Sequence, residues 1–307
     1  MAEAVFISGA SGFLGKALVP ALERAGYIVD APSSAQLDLA SKRPSTGRQY
    51  AAIIHLAAWT RAGSFCREFP GDQWIVNERM NLNLLDWWIQ EQRQANLISF
   101  GTSVGYGGAE ARKKEIDYLQ GDPIEDYYGY STSKRSLLYG QINARRQFGV
   151  DFTHLIPSTI YGPGYHMDGR QWHFVFDIMR KILRARYQDE QIELWGDGYQ
   201  IRELIFIDDV VDVILRLLHQ PQNDYINVSS GQGFTIRELA KLICEQVKVN
   251  PSAISYDENA FVGSKAKILD CEKLDRLFPD RKRTSLSDGL AKTIHWLKPE
   301  IMAEKRD

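Results

Sequence analysis

The chain has 307 residues, 44% of them hydrophobic and 25% charged, enough to bury a core as two domains or as one large domain with an added lobe. Lysine and arginine number 37 against 39 aspartate and glutamate, a net charge of −2, and no basic run occurs, which argues against nucleic acid or an anionic membrane as a partner. Cys66, Cys244 and Cys271 are widely spaced and form no metal pattern, no apolar run approaches the ~20 residues of a membrane span, and no export signal is read, so a cytoplasmic protein with reduced thiols is expected.

Ala4 to Ser8 reads as a fully buried strand running into Gly9-Ala10-Ser11-Gly12-Phe13-Leu14-Gly15. A helix follows with Leu14, Ala17, Leu18, Ala21 and Leu22 on one face, closing at Gly26. Strand, glycine turn and helix together are the setting of a dinucleotide fold. The glycines let backbone N–H groups approach a pyrophosphate, which sits at the positive end of the helix. The spacing is G-x-x-G-x-x-G in place of the commoner G-x-G-x-x-G, and the plain alternative is a glycine turn with no ligand.

The second strand, Tyr27 to Ala31, is followed by Ser33 and Ser34, where a ribose-reading residue belongs. An acid there would repel a 2′-phosphate, whereas two hydroxyls permit one, although no arginine adjoins them. Asp30 is the counter-candidate, about 20 residues past the glycines, but it reads as inside the strand. NADP(H) is favoured, and NAD stays open. Asp38-Leu39 precede a loop, and Ala51 to Ala58 is the next buried strand, with small residues at its carboxyl end against which a flat ring can lie. His55 within it reads as a packed core histidine.

Trp74 to Gln92 is a predicted helix carrying Asn77 and Asn83. Asn96 to Phe100 is a strand ending in Gly101-Thr102-Ser103-Val104-Gly105-Tyr106-Gly107. A hydroxyl there can orient a substrate carbonyl, or it can simply serve the turn. The run Tyr127 to Phe148 is amphipathic and places Tyr130 and Lys134 one turn apart on one face. An ammonium beside a phenol favours phenolate, drawing the tyrosine down from about 10 toward neutrality. Such a tyrosine can pass a proton to or from a substrate oxygen. The pair alone is common by chance; its company gives it weight.

Asp151 to Ile156 is strand-like and reaches Pro157-Ser158-Thr159-Ile160-Tyr161-Gly162-Pro163-Gly164. Beyond it come a helix (His173 to Ile182), a strand (Gln191 to Trp195) and a strand (Arg202 to Ile207) leading to Asp208-Asp209, which are expected to cap a helix through Leu218. Tyr225 to Val228 is a strand, and Thr235 to Val247 a helix opened by the capping box Thr235-Ile236-Arg237-Glu238. The expected architecture is α/β: a Rossmann-like doubly wound parallel sheet from residues 1–162 and about 204–230, with a smaller mixed α/β lobe from about 163–203 and 231–307.

The glycine turn, His55-Leu56-Ala57-Ala58, Asn77 to Asn83, Tyr130/Lys134, Tyr161-Gly162-Pro163 and Asp208-Asp209, in that order, resemble the extended short-chain dehydrogenase/reductase family, which acts on nucleotide sugars. Within it the chain is most similar to the branch that epimerises and reduces GDP-4-keto-6-deoxy-mannose. That similarity rests on Gly101 to Tyr106, Trp172-His173 to Ile182, Leu194 to Gly198 with Arg202-Glu203, and Gly263 to Asp270. The resemblance implies cofactor contacts at Gly9, Ser11, Gly12, Phe13, Leu14, Gly15, Ser33, Asp38, Leu39, Leu56, Ala57, Ala58, Asn77, Pro157, Thr159 and Ile160. It implies catalytic roles for Thr102, Tyr130 and Lys134, and an epimerising acid at His173. Substrate contacts are implied at Ser103, Val104, His173, Lys181, Trp195 and Arg202. Trp195 could instead be core, and Arg202-Glu203 a surface ion pair.

Val104 stands where the resembled enzymes carry the cysteine that removes a carbon-bound proton, and valine cannot carry one. The reductase half of the reaction is intact; the epimerase half lacks its base. Cys66 could approach only if the fold allows. Ser103-Val104 also replace the Asp-Glu pair of the family's dehydratases, which argues against dehydration. The reading is an NADPH-dependent 4-keto reductase of a nucleotide-linked, by resemblance GDP-linked, deoxy sugar. The rivals are a C4 epimerase that retains NAD and a non-catalytic cofactor sensor. Trp87, Trp88, Leu137 and Leu138 exceed one buried face on helices 74–92 and 127–148, which predicts a homodimer through them.

Overall fold

Strands that are apolar at nearly every position need cover on both faces, and a parallel sheet flanked by helices supplies it. The computed structural model describes residues 2–108, 110–260 and 265–304. Its first strands are β1 (Ala4–Ser8), β2 (Ile28–Asp30), β3 (Ala52–His55), β4 (Asn96–Phe100) and β5 (Arg112–Lys113). Then come β6 (Phe152–Pro157), β7 (Thr159–Tyr161), β8 (Ile192–Trp195) and β9 (Ile201–Phe206). The last are β10 (Asp224–Val228), β11 (Gly233–Thr235), β12 (Ile254–Asp257) and β13 (Ile268–Leu269). The helices are α1 (Phe13–Arg24), α2 (Phe65–Glu68), α3 (Pro70–Glu91), α4 (Tyr128–Phe148) and α5 (Phe174–Gln188). They continue with α6 (Ile207–Leu217), α7 (Ile236–Val247), α8 (Glu272–Leu277) and α9 (Leu286–Ala303).

Six strands form the parallel central sheet in the order β10-β6-β4-β3-β1-β2. Alternate residues of each strand feed opposite cores. Phe6, Ile53, Leu97 and Phe152 pack with α3 and α4, while Val5, Ile7, Ile54, Ile98 and Leu155 pack with α1 and α6. This is the Rossmann-like doubly wound architecture the sequence predicts. A third core joins α5, α7 and α9 to β8 and β9. Leu274 and Phe278, from the segment the sequence reading puts in the smaller lobe, pack under the central sheet with Val5 and Ile7.

Several boundaries move. β3 stops at His55, so Leu56, Ala57 and Ala58 lie past its end. The helix predicted from Trp74 begins at Pro70, whose missing N–H suits a first turn. Asp208 and Asp209 do not cap α6: the helix follows Phe206, and both acids sit in its first turn, against the positive end. Asp209 instead holds Thr284, accepting from its backbone N–H at 2.8 Å and its hydroxyl at 2.7 Å. The capping box at Thr235/Glu238 forms as predicted.

Trp87, Trp88, Leu137 and Leu138 are fully buried in the α3–α4 core of one chain, so they offer nothing to a partner. Aromatic packing of Trp87 on Phe6 consumes the apparent excess. The exposed apolar residues of these helices are Trp74, Ile75, Leu82, Tyr128 and Tyr139.

At the carboxyl end of β10, the Asn227 side chain joins three segments. Its Nδ2 donates to the carbonyls of Lys113 and Asp270, both at 3.0 Å, and its Oδ1 accepts from the Tyr106 hydroxyl at 2.6 Å. The parallel pairing of β5 with β13 is thereby anchored to the central sheet.

Candidate active site

The glycine turn closes because two of its residues lack a Cβ. Gly9 has φ +75°, and a Cβ there would lie 2.6 Å from the Ala57 nitrogen, so β1 and the loop after β3 touch backbone to backbone. A Cβ on Gly15 would meet the Ala10 carbonyl at 2.4 Å. The first turn of α1 has no side-chain cap and no acidic residue, which leaves its N–H groups available to an anion. Gly9, Ser11, Gly12, Phe13, Leu14 and Gly15 thus suit a pyrophosphate.

Asp30 is the last residue of β2, not interior to it. Its carboxylate accepts from the Tyr50 hydroxyl at 2.6 Å, with Arg48 Nε 3.7 Å away. An open cleft beside it is lined by Gln36, Lys42, Arg43 and Arg48 among others. Those cations come too late in the chain for adjacency to Ser33 to suggest them. Ser33 itself makes a turn, its N–H and hydroxyl both donating to Gln36 Oε1 at 2.9 Å. Asp38 accepts from Ala40 N–H and the Ser41 hydroxyl, which hold its carboxyl below the usual range. Leu39 is a core residue, so only its backbone faces outward; its carbonyl accepts from Asn83.

Asn77 is likewise buried, and its amide is committed to the loop after β3. Oδ1 accepts from Trp59 N–H at 2.9 Å while Nδ2 donates to the carbonyls of Trp59 and Gln73. It positions Ala57 and Ala58 and has no group left for a cofactor. His55 is the packed core histidine expected, 2.6 Å from Ser8 Oγ and 3.2 Å from Asn81 Oδ1. Pro157 ends β6, and Thr159 and Ile160 begin β7, where the chain leaves the central sheet.

At the carboxyl end of β4, Thr102 donates its backbone N–H to the Tyr118 hydroxyl at 3.2 Å. Its own hydroxyl accepts from Val104 N–H at a long 3.4 Å. Ser131 and Arg135 on α4 donate to the carbonyls of Val104 and Gly105 at 3.1 and 3.0 Å, fixing the turn of Ser103 and Val104 against the helix that carries Tyr130.

Tyr130 and Lys134 share a face of α4, but the ammonium lies over the phenol ring, 5.7 Å from its centroid. The expectation that Lys134 draws Tyr130 toward neutrality is corrected here. Burial pushes the phenol up, and Cys66 and Tyr118 push it further. The surroundings therefore favour the protonated phenol.

Lys134 is itself brought down to about 8 by burial, opposed by the Glu78 carboxylate. His55 and His154, held near 3 by burial and by Lys134, stay neutral. The fold does bring Cys66 within electrostatic reach of Tyr130. Its thiol is pushed up by burial, opposed by hydrogen bonds from Gln73 and Thr60. Cys66 lies in no sequence motif, and Glu78 lies within the Asn77 to Asn83 stretch without having been singled out.

Across the site, His173 precedes α5 and is held near 4 by burial, with Lys267 and Arg202 adding to the effect. Lys267, brought down to about 7 by burial, Arg202 and Lys113, belongs to this group and was missed as a site residue. It lies in the 263–270 stretch, of which Gly263 and Ser264 fall outside the described residues. Arg202 is no surface ion pair with Glu203: Glu203 is buried, pushed up to about 7 by that burial, and accepts from Leu269 N–H at 2.7 Å. Trp195 is not core; it is 56% exposed, with the Lys181 ammonium 6.0 Å from its ring centroid. Lys181 also donates to the Glu193 carbonyl at 2.9 Å.

Residues 5–229 match the NAD dependent epimerase/dehydratase family. A probable GDP-L-fucose synthase 1 of Oryza sativa subsp. japonica is 25% identical, over 98% of this chain and 94% of its own. A dTDP-4-dehydro-6-deoxy-D-allose reductase of a Streptomyces species is 28% identical, over 80% of this chain and 73% of its own. The solved structure of a GDP-L-fucose synthetase from Naegleria fowleri superposes with a TM-score of 0.88 at 20% identity, covering 99% of this chain and 96% of that one. With a dinucleotide-type glycine turn, a Thr102/Tyr130/Lys134 cluster and most of its length matched, the chain is an enzyme belonging to the NAD-dependent epimerase/dehydratase family.

Proposed function

We propose that the protein is an NADPH-dependent 4-keto reductase of a nucleotide-activated 6-deoxy sugar, with GDP the favoured carrier. A bound reduced nicotinamide would supply hydride to the sugar carbonyl carbon. Tyr130 would give its proton to the carbonyl oxygen, Thr102 would orient that oxygen, and Lys134 would hold the ribose. The observation that carries this reading is the placement of Tyr130 and Lys134 on one face of α4, the helix whose Ser131 and Arg135 hold the turn that follows Thr102. A reductase needs a proton donor at that point. Burial of the phenol disfavours the phenolate with which an epimerase would begin by oxidising a hydroxyl, which favours the reductase. Val104 speaks against the bifunctional epimerase/reductase, since it cannot remove a carbon-bound proton next to the ketone.

Two observations favour NADP(H) over NAD. Asp30 already accepts from Tyr50, and Lys42, Arg43 and Arg48 line the adjoining cleft, where a 2′-phosphate would meet positive charge. On the substrate side, Lys181 and Arg202 offer cations to a diphosphate, Trp195 an aromatic face to a base or sugar, and His173 a neutral imidazole. The GDP-L-fucose synthase and dTDP-sugar reductase relatives support a nucleotide-sugar substrate.

The test is turnover with GDP-, dTDP-, UDP- and CDP-linked 4-keto-6-deoxy sugars, each with NADPH and with NADH. Stoichiometric loss of NADPH with reduction at C4 is expected. Stereochemical inversion without net cofactor consumption would establish the epimerase instead, and binding without turnover the sensor. We also propose a homodimer through α3 and α4, with Trp74, Ile75, Leu82 and Tyr139 at its centre. A monomeric mass by light scattering would remove it.

A further inference from the structure

Lys134 holds its charge in surroundings that oppose it. Its ammonium is buried, and from β3 and β6 it is faced by His55 and His154, which it helps keep neutral. From its own helix it is faced by the Tyr130 ring. Among the described residues, the one group of opposite charge that acts on it is Glu78, on α3.

Glu78 is only 9% exposed. Its Oε2 accepts from the Ser136 hydroxyl on α4 at 3.0 Å, while Oε1 is buried with no hydrogen-bond partner. A tie between two helices needs one oxygen and no charge, and a glutamine would serve. A carboxylate with one oxygen unsatisfied is unfavourable to bury unless a nearby cation offsets it. The cation available is Lys134.

We propose that Glu78 is a positioning residue that keeps Lys134 protonated, and thereby able to hold a ribose hydroxyl, at neutral pH. This deepens the oxidoreductase reading and rests on it for its consequence in turnover. The ammonium form is required, so activity falls as pH rises through the Lys134 midpoint. Removing the carboxylate lowers that midpoint and moves the alkaline limb of the rate profile toward acid.

The direct test is an NMR titration of isotope-labelled lysine side chains in the full chain, with the Lys134 signal assigned by its loss in Lys134→Arg. In Glu78→Gln the Lys134 midpoint is expected to fall by about one to three pH units, the range typical of losing an adjacent opposite charge. The alkaline limb of kcat/KM for keto-sugar reduction shifts by the same amount. An unchanged midpoint overturns the proposal. Glu78→Asp, which withdraws the charge without deleting it, is expected to move the midpoint by less, and it decides the matter if Glu78→Gln does not fold. Should the wild type reduce no nucleotide sugar, the functional reading fails while the titration still decides the role of Glu78.

Discussion

Lys134 sits over the Tyr130 ring, its ammonium 5.7 Å from the centroid. A cation over a ring is attracted by the π-electrons but has little hold on the phenolic oxygen. The proton of Tyr130 is thus set by burial and by its neighbours Cys66 and Tyr118.

Tyr130→Phe deletes that proton and little else. We expect kcat for keto-sugar reduction to drop by roughly 10²–10⁴-fold, the range of a positioned general acid. NADPH affinity by calorimetry should stay within a few-fold. Wild-type turnover in the variant would show that another group protonates the oxygen.

Tyr50→Phe frees the Asp30 carboxylate from the hydroxyl 2.6 Å away. A released carboxylate can accept from a 2′-hydroxyl and repels a 2′-phosphate. The ratio of kcat/KM for NADPH over NADH should fall, by about tenfold if the exchange is worth roughly 1.4 kcal/mol. An unchanged ratio would place the discrimination elsewhere in the cleft.

Gly9→Ala forces a methyl to within 2.6 Å of the Ala57 backbone at φ +75°. Left-handed strain of about 1–2 kcal/mol and overpacking of about 1–3 kcal/mol should together lower the unfolding free energy by roughly 2–5 kcal/mol. Urea titration measures the loss, and dinucleotide binding should fail with it.

His55 and His154 stay neutral in the fold down to about 3, whereas unfolded histidine titrates near 6.5. Between those limits the unfolded chain binds more protons, so stability is full above about 6.5 and declines as pH falls toward 3. Two such groups give a slope of about 2.7 kcal/mol per pH unit at most. Glu203, raised to about 7, works in the opposite sense between its unfolded value and 7, and blunts that slope. Melting temperatures measured from pH 7 down to 4 should fall, and His154→Gln should flatten the decline.

Much of the architecture was legible because its signals are local. Continuous buried runs placed β1 and β4, and the 3.6-residue pattern α4 and α7, within a residue or so, and the Thr235 capping box is confined to four residues. Trp87, Trp88, Leu137 and Leu138 misled because apolar excess on a helix does not say whether a partner helix of the same chain covers it. The site was legible in its motif residues and not in their ionisation. Glu78 and Cys66 near the Tyr130 helix, and Lys267 beside His173, come from segments far apart in sequence. The partner of Asp30 was hidden for the same reason, since only the fold puts Tyr50 within reach of its carboxylate.

One carboxamide, that of Asn227, is shared by the turn after β4, by β5 and by the stretch that follows β13. The turn holding Thr102 and the stretch holding Lys267 therefore cannot drift apart independently. Redesign of the sugar pocket can vary freely in side chains that meet the ligand, provided the two main-chain carbonyls and the phenol that Asn227 grips keep their mutual spacing. That spacing is the dimension to preserve when the enzyme is retargeted.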